Sequence, residues 1–569
     1  MKRSFLRPVF THYTLQVLFL AAIVGVLSGF IAIGFRYLLF FIQNVLFFQN
    51  LSVLESSPIH HTLGELVFIV PAIGGLIVGL ITYFFASETK GHGVPEVMEA
   101  VAVKGGKMRP RTVLFKALAS AISIGSGGSI GREGPIVQIG SAAGSSIAQW
   151  LRLDQYKIKV LLGCGAAGGI AATFNTPIAG IIFALEIILL ELKSRSFMAL
   201  VISSFFATSV SRIFLGSTPA FPVPSYEFVS LYETGLYLVL GVIAGFTGLL
   251  LIQSLYKTES IFDKIPLPAY LKPAIGGLLV GVIGLFLPQV FGVGYDTIEK
   301  MLNQDMLLQT TLLLLVFKFL AFNLTIGSGA SGGIFSPSLF IGAALGASYG
   351  WVANYLLPDL TAPAGAYALV GMAAVFAATS RATLTAIIII FELTLDYKII
   401  LPLMFACVIA DLVTWLLSRD TIYTKKLAKR GIRISHDMEA NKLEVKSIGE
   451  VFHRKKGYLS SLSVEEIHQN LLSSNVYSAC VVNEQDELIG VTTMKNVERK
   501  IGSDLPVGEI VKIDIDVGYP DEPLSDALYK MAKNNLEMLP VVTGKNKKLL
   551  GYITRSDVLQ TFQPEVRPG

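Results

Sequence analysis

Long apolar runs separated by short polar stretches dominate the first three quarters of the chain. A membrane-spanning helix needs roughly 20 mostly apolar residues. Several runs reach that length, whereas others are shorter and interrupted by Gly or Pro. We therefore predict tilted, broken or re-entrant helices. The runs cover residues 15–35, 63–85, 198–214, 234–252, 273–287, 307–322 and 401–417.

Charged residues are concentrated at the C-terminal end. Positions 421–569 contain 21 Lys or Arg and 20 Asp or Glu, and the first 420 positions hold the remaining 46 of the 87 charged residues. This shift predicts a membrane domain over 1–420, a linker over 421–445 and a soluble part that follows.

Basic segments flank the membrane domain on both sides. The N-terminal MKRSFLRP and the junction TKKLAKRGIR adjoin apolar runs, and positive residues favour the cytoplasmic side of a membrane. We expect a multi-pass protein of the plasma or inner membrane with both termini in the cytoplasm and no cleaved signal peptide. The three scattered cysteines indicate neither a disulfide framework nor a metal site.

The membrane domain contains a hidden duplication. Residues 125–146 align without a gap on residues 327–348, with eleven identities in 22 positions, and Pro135 falls on Pro337. A second pair of segments places Glu186 over Glu392. Membrane helices share Gly, Ala and Ile by composition alone, but an ungapped match that includes proline favours true duplication. Duplicated halves with broken helices are typical of transporters.

Four glycine-rich or polar segments lead into a proline and then an apolar helix. Two are the duplicated segments, and the others are GHGVPEV at 91–97 and FNTPIAG at 174–180. Proline suits the first helical turn, and a helix N-terminus attracts anions through its free N–H groups. The pattern predicts several helix N-termini that converge on one dehydrated anion.

Glu133 lies at one of these helix starts, beside Arg132. A carboxylate next to anion-binding amides can occupy the site as a tethered competitor, and it would leave when protonated or displaced by a free anion. Ionisable groups within a membrane domain are usually functional. We therefore interpret Glu133 as a gate, and the alternative is a structural ion pair with Arg132.

These motifs resemble those of the CLC family of chloride channels and chloride/proton exchangers. GREGP at 131–135, GHGVPE at 91–96 (usually GSGIPE in the family), GIFSP at 333–337 and Tyr423 occur in the family's order. The resemblance implies an all-α polytopic membrane protein with an inverted-topology repeat of broken, tilted helices. It also implies a homodimer with a separate pore in each subunit.

The resemblance assigns roles to individual residues, with chloride as the transported ligand. Glu133 matches the gating glutamate, and amides around Arg132 and Gly134 flank the outer anion site. The backbone N–H groups of Ile334 and Phe335, together with the Tyr423 hydroxyl, hold the central anion. These assignments imply a voltage- or pH-gated anion pathway.

One departure from the family motif concerns anion selectivity. His92 stands where the family's usual serine hydroxyl contacts the central anion. An imidazole N–H can also donate a hydrogen bond, and its charge can change near neutral pH. Alternatively, the ring faces the cytoplasmic vestibule and only the backbone matters.

A second departure concerns proton coupling. Family exchangers commonly carry a Glu-Glu pair after the FNxPxAGxxF helix, but here Glu186 is followed by Ile187. Isoleucine cannot relay a proton, so the sequence favours a passive channel. The alternative is a chloride/proton antiporter that lacks the usual proton-transfer glutamate, since some family exchangers lack it too.

Two similar units follow the linker, at 446–502 and 506–563. Each alternates short strands and helices, which predicts small α/β modules, and together they resemble a cytoplasmic pair of CBS domains. Thr554 and Asp557 match positions that contact an adenine nucleotide (ATP, ADP or AMP) in such pairs, whereas the first copy has Thr493 and Asn496. Helix capping by Thr554 and Asp557 is the alternative.

Other function classes fit the sequence less well. The seven histidines are scattered, and neither HExxH nor GxxxxGK[ST] occurs, so we expect no enzyme and no metal site. A cation transporter would need clustered carboxylates, whereas the predicted site groups are N–H donors. A net charge of +5 gives no reason to expect nucleic-acid binding.

Overall fold

The computed structural model describes residues 12–54, 56–190, 194–217, 221, 226, 233–395, 397–432, 447–454, 457–474, 477–503, 505–513, 515–544 and 546–560. The chain divides into two compact units, Met1–Ile434 and Ser435–Gly569. Most of the predicted linker and both chain ends lie outside the described residues.

The described residues of the first unit form α-helices. They are α1 His12–Phe48, α2 Val70–Leu80, α3 Val94–Ala102, α4 Arg111–Gly125, α5 Glu133–Trp150, α6 Gln155–Phe174, α7 Pro177–Phe183, α8 Ser194–Leu215, α9 Glu233–Lys264, α10 Lys272–Phe286, α11 Tyr295–Leu302, α12 Leu308–Gly327, α13 Phe335–Leu356, α14 Ala364–Ser380, α15 Thr383–Thr394, α16 Ile400–Leu417 and α17 Thr424–Lys429.

Each of the seven predicted apolar runs falls on helical structure. Within the described residues, seven helical segments are long and apolar enough to cross a membrane: Leu15–Phe48, Gly64–Phe85, Gln155–Phe174, Ser196–Leu215, Glu233–Lys264, Leu308–Gly327 and Ile400–Leu417. Helix α6 lies outside the apolar runs quoted from the sequence; it is rich in Gly and Ala, and 83% of its most apolar window is buried inside the protein.

The helices are broken, as predicted. The segment Gly64–Phe85 passes from a 3₁₀ turn through α2 into a π-helical turn at Ile81–Phe85, and α7 continues into a second π-helical turn at Ala184–Leu189. Helices α5 and α13 begin in the protein interior, each with a buried first turn. Broken helices with interior ends leave backbone N–H groups free for a ligand.

The duplication is visible in close helix packing. A Cβ atom at Gly140 would lie 2.2 Å from the Gly165 carbonyl oxygen, which brings α5 against α6. In the second repeat, a Cβ atom at Gly342 would lie 2.4 Å from the Gly371 carbonyl oxygen, between α13 and α14. Glycine is required at these contacts because any side chain would overlap the facing backbone.

Two buried lysines occupy matching places in the repeats. Lys116 on α4 and Lys318 on α12 are fully buried, and each ammonium group donates to two carbonyl oxygens of a nearby loop. Such bonds satisfy a cation that would otherwise be costly to bury. The acceptors are Thr89 (3.0 Å) and Gly91 (2.8 Å) for Lys116, and Val290 (3.0 Å) and Gly292 (2.8 Å) for Lys318.

The second unit contains two similar α/β lobes. The elements are β1 Tyr458–Leu459, α18 Val464–Ser474, β2 Ser478–Val482, β3 Leu488–Thr493, α19 Met494–Glu498, α20 Leu524–Asn534, β4 Met538–Thr543, β5 Lys548–Thr554 and α21 Arg555–Gln560. β2 pairs antiparallel with β3, and β4 with β5; each ladder has an irregularity at matching positions, Val481/Val482 and Val541/Val542. Strand β1 pairs parallel with β2. A duplicated CBS-type pair explains this arrangement.

Candidate anion pathway

The loops that precede α3, α5 and α13 lie side by side. Gly131 donates its N–H to the Gly333 carbonyl at 2.8 Å, and Gly333 donates to the Gly131 carbonyl at 2.6 Å. The Gly91 N–H donates to the Ala330 carbonyl at 3.1 Å. Hydrogen bonds between the two repeats therefore bring three helix N-termini together.

Glycine makes this approach possible. A Cβ atom at Gly134 would lie 2.2 Å from the His92 carbonyl oxygen, and one at Gly333 would lie 2.7 Å from the Gly134 nitrogen. Since these neighbours are backbone atoms, they cannot move aside as a flexible side chain could. Gly134 thus lies in the first turn of α5, against the loop that precedes α3.

The Glu133 carboxylate lies at the N-terminus of α13, in the opposite repeat. It is 2% exposed, and its Oε2 accepts the backbone N–H of Ser336 at 3.3 Å. Its Oε1 accepts the Tyr295 hydroxyl at 2.7 Å and the Ser336 hydroxyl. A negative side chain thus occupies a position where a helix start would otherwise present an N–H group to an anion.

Arg132 does not pair with Glu133. Among the described residues the two side chains form no ion pair, and the Arg132 guanidinium lies over the rings of Tyr295 (5.1 Å) and Phe174 (5.7 Å). It lines a cavity of about 190 Å³. This geometry does not support the alternative role of Glu133, a structural ion pair with Arg132.

The residues expected at the central anion site lie close to this region. Ile334 precedes α13 and Phe335 is its first residue, so their N–H groups have no acceptor within the helix. The Phe335 ring packs on Phe376, with ring centroids 4.2 Å apart. Tyr423 is buried immediately before α17. Anion contacts by these three residues stay a prediction.

His92 lies in the loop just before α3. Its side chain is buried, and its ring centroid is 6.0 Å from that of Tyr423. The Nε2 atom is 3.5 Å from the Tyr256 hydroxyl, whereas the Nδ1 atom is buried and has no partner in the part of the chain that the structure describes. His92 also lines a second cavity of about 240 Å³. His92 therefore borders this cavity, and its ring keeps one nitrogen without a hydrogen-bond partner among the described residues.

Ion pairs fix the basic wall of this second cavity. Lys426 and Arg430 both contact one Glu96 carboxylate oxygen, at 2.8 and 3.0 Å, and Arg430 also contacts Glu99 at 2.6 Å. Glu96 belongs to α3, which follows His92, and Lys426 belongs to α17, which follows Tyr423. These pairs therefore hold together the two segments that carry His92 and Tyr423.

Glu186, the residue before Ile187, caps a helix in the other repeat. Its carboxylate accepts the N–H groups of Leu384 (3.2 Å) and Thr385 (2.8 Å) at the start of α15. Ile187 is buried beside it. The Glu186 carboxylate is thus engaged in helix capping, and its neighbour has no group that could carry a proton.

A carboxylate occupies the helix start of FNTPIAG, and a contribution of this segment to the anion site stays a prediction. The Glu392 carboxylate accepts the N–H groups of Ile178 (3.0 Å) and Ala179 (2.7 Å) at the start of α7. The carboxylate binds two neighbouring backbone N–H groups and so caps this helix start. This contact mirrors that of Glu186, as duplication requires.

Thr554 and Asp557 form a helix cap in the second unit. Asp557 accepts the Thr554 N–H at 2.8 Å and the Thr554 hydroxyl at 2.6 Å, and His453 Nε2 lies 2.9 Å from its other oxygen. Burial raises the pKa of Asp557, but hydrogen bonds from Thr554 and His453 outweigh it and hold the pKa below its usual value. In the first copy, Thr493 makes no side-chain cap.

Sequence reasoning missed two residues that touch Glu133. Tyr295 is 162 positions away in the chain, and no local pattern connects them. Ser336 belongs to GIFSP, and its position matches Gly134 in the duplicated alignment. The two aligned segments are 202 positions apart, so the alignment could have placed Ser336 near the site. The proximity of Tyr295 to Glu133 is visible only in the folded structure.

Comparison with known proteins agrees with this architecture. A family model described as "Voltage gated chloride channel" matches residues 74–414, and a "CBS domain" model matches residues 507–563. The chain is 33% identical to "Voltage-gated ClC-type chloride channel ClcB" of Escherichia coli O81, with 72% of this chain and 99% of the relative covered.

Two further similarities concern exchangers. The chain is 31% identical to "H(+)/Cl(-) exchange transporter ClcA" of Salmonella schwarzengrund. The alignment covers 73% of this chain and 89% of the relative. A solved structure described as a "slow cyanobacterial Cl-/H+ antiporter" superposes with a TM-score of 0.65 at 26% identity, and it covers 73% of this chain and 98% of that chain. The chain therefore belongs to the voltage-gated chloride channel (CLC) family, as its motifs predicted, and carries a C-terminal CBS pair.

Proposed function

We propose that this protein is a passive, gated chloride channel in which Glu133 is the gate. The observation that carries the proposal is the position of the Glu133 carboxylate on the Ser336 N–H at the start of α13. Chloride and a carboxylate compete for the same donors, so a side chain in this position closes the pathway. Protonation removes its charge, and a high chloride concentration displaces it.

The choice of a channel over an antiporter rests on Ile187. This side chain is buried next to Glu186, whose carboxylate caps α15. An aliphatic group there cannot pass protons to Glu133. Relatives of both kinds are similar to this chain, so the antiporter is the second candidate function, with water rather than a glutamate carrying protons to Glu133.

The remaining proposals concern the anion ligands. Ile334 and Phe335 supply N–H groups to the central anion, Tyr423 supplies its hydroxyl, and the amides of Arg132 and Gly134 flank the outer position. The free Nδ1 of His92 supports a further contact by this ring, which would distinguish this pathway from one lined by serine.

We also propose the setting in which the channel works. The protein spans the plasma or inner membrane as a homodimer with both termini in the cytoplasm, in accord with its basic flanking segments. An adenine nucleotide at the CBS pair would have to displace His453 from Asp557 or share that carboxylate. The family consists of channels and transporters, so we propose no enzymatic activity.

The first test measures proton coupling. Purified protein in liposomes is exposed to a fixed chloride gradient while the pH gradient is varied, and the reversal potential is recorded. For a passive channel, the reversal potential follows chloride alone. A shift with the pH gradient in a fixed ratio would overturn the channel proposal in favour of the antiporter, and protein-free liposomes provide the baseline.

The second test concerns the gate. Glu133→Gln mimics the protonated side chain, so anion flux should persist while its dependence on pH and voltage disappears. In the unmodified protein, flux should rise as pH falls, at most about tenfold per pH unit for a single titrating group. Chloride flux from liposomes at a series of pH values measures this. Glu65→Gln, at an exposed position, is the control, and unchanged gating in Glu133→Gln would remove Glu133 from this role.

The third test concerns His92. If its ring contacts the anion, His92→Ser should change the chloride-to-nitrate permeability ratio by about fivefold, the effect of one hydrogen bond contributing about 1 kcal/mol. Bi-ionic reversal potentials give the ratio. His60→Ser, at an exposed position, should leave it unchanged. Identical ratios in His92→Ser and the unmodified protein would mean that only the backbone at position 92 matters.

A further inference from the structure

Two hydroxyl groups outside the predicted site residues hold the Glu133 carboxylate. Tyr295 donates to Oε1 at 2.7 Å, and the Ser336 hydroxyl donates to the same oxygen. The two hydroxyl oxygens are 3.0 Å apart. Hydrogen bonds to a charged acceptor are stronger than those between neutral groups, so this arrangement favours the ionised, closed side chain.

The ring of Tyr295 is held firmly in place. The Arg132 guanidinium lies 5.1 Å from its centroid. The Phe221 ring meets it edge-on at 5.3 Å and 81°, and the Phe174 ring lies at 6.4 Å. These contacts involve the ring and not the hydroxyl. Replacement by phenylalanine therefore removes the donor while it leaves the packing intact.

The second buried lysine binds the loop that precedes Tyr295. Lys318 binds the carbonyls of Val290 and Gly292, just before α11 begins at Tyr295. In the first repeat, Lys116 binds the carbonyl of Gly91 in the loop before α3. A buried lysine thus holds the loop that carries the proposed anion ligand His92 in one repeat and the loop that leads to Tyr295 in the other.

We propose that Tyr295 and Ser336 form a hydroxyl latch that stabilises the closed position of Glu133 and sets the pH at which the pathway opens. The inference rests on the proposed role of Glu133 as the gate. Both hydroxyls donate to the ionised carboxylate, so the closed gate persists to lower pH than it would without them. Each donor must be given up before chloride can replace the side chain.

Arg132 and Tyr423 are titratable groups near the carboxylate. Arg132 directly precedes Glu133 and α5, and Tyr423, a neutral phenol, directly precedes α17. The variants below alter neither of them. A change in the pH profile of these variants therefore reports the loss of a hydroxyl donor.

The experiment measures chloride flux from liposomes across a pH series for Tyr295→Phe, Ser336→Ala, Glu133→Gln and the double variant Glu133→Gln/Tyr295→Phe. Tyr349→Phe is the matched control, since that hydroxyl donates to the Leu236 carbonyl at 2.9 Å, away from Glu133. Tyr295→Phe should move the pH of half-maximal flux upward by about one unit or more, the size expected for one bond to a charged acceptor. Ser336→Ala should move it in the same direction.

In the Glu133→Gln background, Tyr295→Phe should have no effect on the pH profile. Unchanged midpoints in both single latch variants, with pH dependence lost in Glu133→Gln, would overturn the latch and leave the gate intact. An equal shift with and without Glu133 would also overturn it. Retained pH dependence in Glu133→Gln would instead reject the gate, and the latch with it. If Tyr295→Phe does not yield folded protein, Ser336→Ala decides the question.

Discussion

The structure depends on the need to satisfy helix N-termini that begin inside the protein. A helix start presents free N–H groups and a partial positive charge, and in an apolar interior both require an acceptor. Three carboxylates serve three such starts, each from the opposite repeat: Glu133 at α13, Glu186 at α15 and Glu392 at α7. The last two bind pairs of backbone N–H groups and act as caps. Glu133 binds one N–H and two hydroxyls, at a place where other helix starts also meet.

The duplicated repeats share their helix packing, and they differ at the residues for which we propose functional roles. Glycines pack α5 on α6 and α13 on α14 at matching positions, and buried lysines fix matching loops. The repeats differ where chemistry is proposed. Glu133 aligns with Phe335, and the loop held by Lys116 carries His92, whereas the one held by Lys318 leads to Tyr295. An approximately symmetric scaffold therefore holds an asymmetric pathway.

Much of this architecture was predictable from sequence because it depends on local constraints. Ungapped identities exposed the repeat, and the Gly and Pro patterns located the starts of α3, α5 and α13. Helix α6 was not identified from its hydropathy because the small residues of a buried helix give only a weak apolar pattern. The cap formed by Glu392 and the contact of Tyr295 with Glu133 were also not predicted from the sequence, since each joins residues more than 160 positions apart. The ring position of His92 depends on Tyr256 and Tyr423, which no spacing rule connects to it.

We propose that Glu133 occupies an anion site at the start of α13. The most direct measurement is the structure of Glu133→Gln and of the unmodified protein, both prepared in bromide, with anomalous diffraction to locate the ion. The account predicts bromide within hydrogen-bonding distance of the Ser336 N–H in Glu133→Gln, and none at that position in the unmodified protein. An empty position in Glu133→Gln, with bromide bound elsewhere along the pathway, would contradict it.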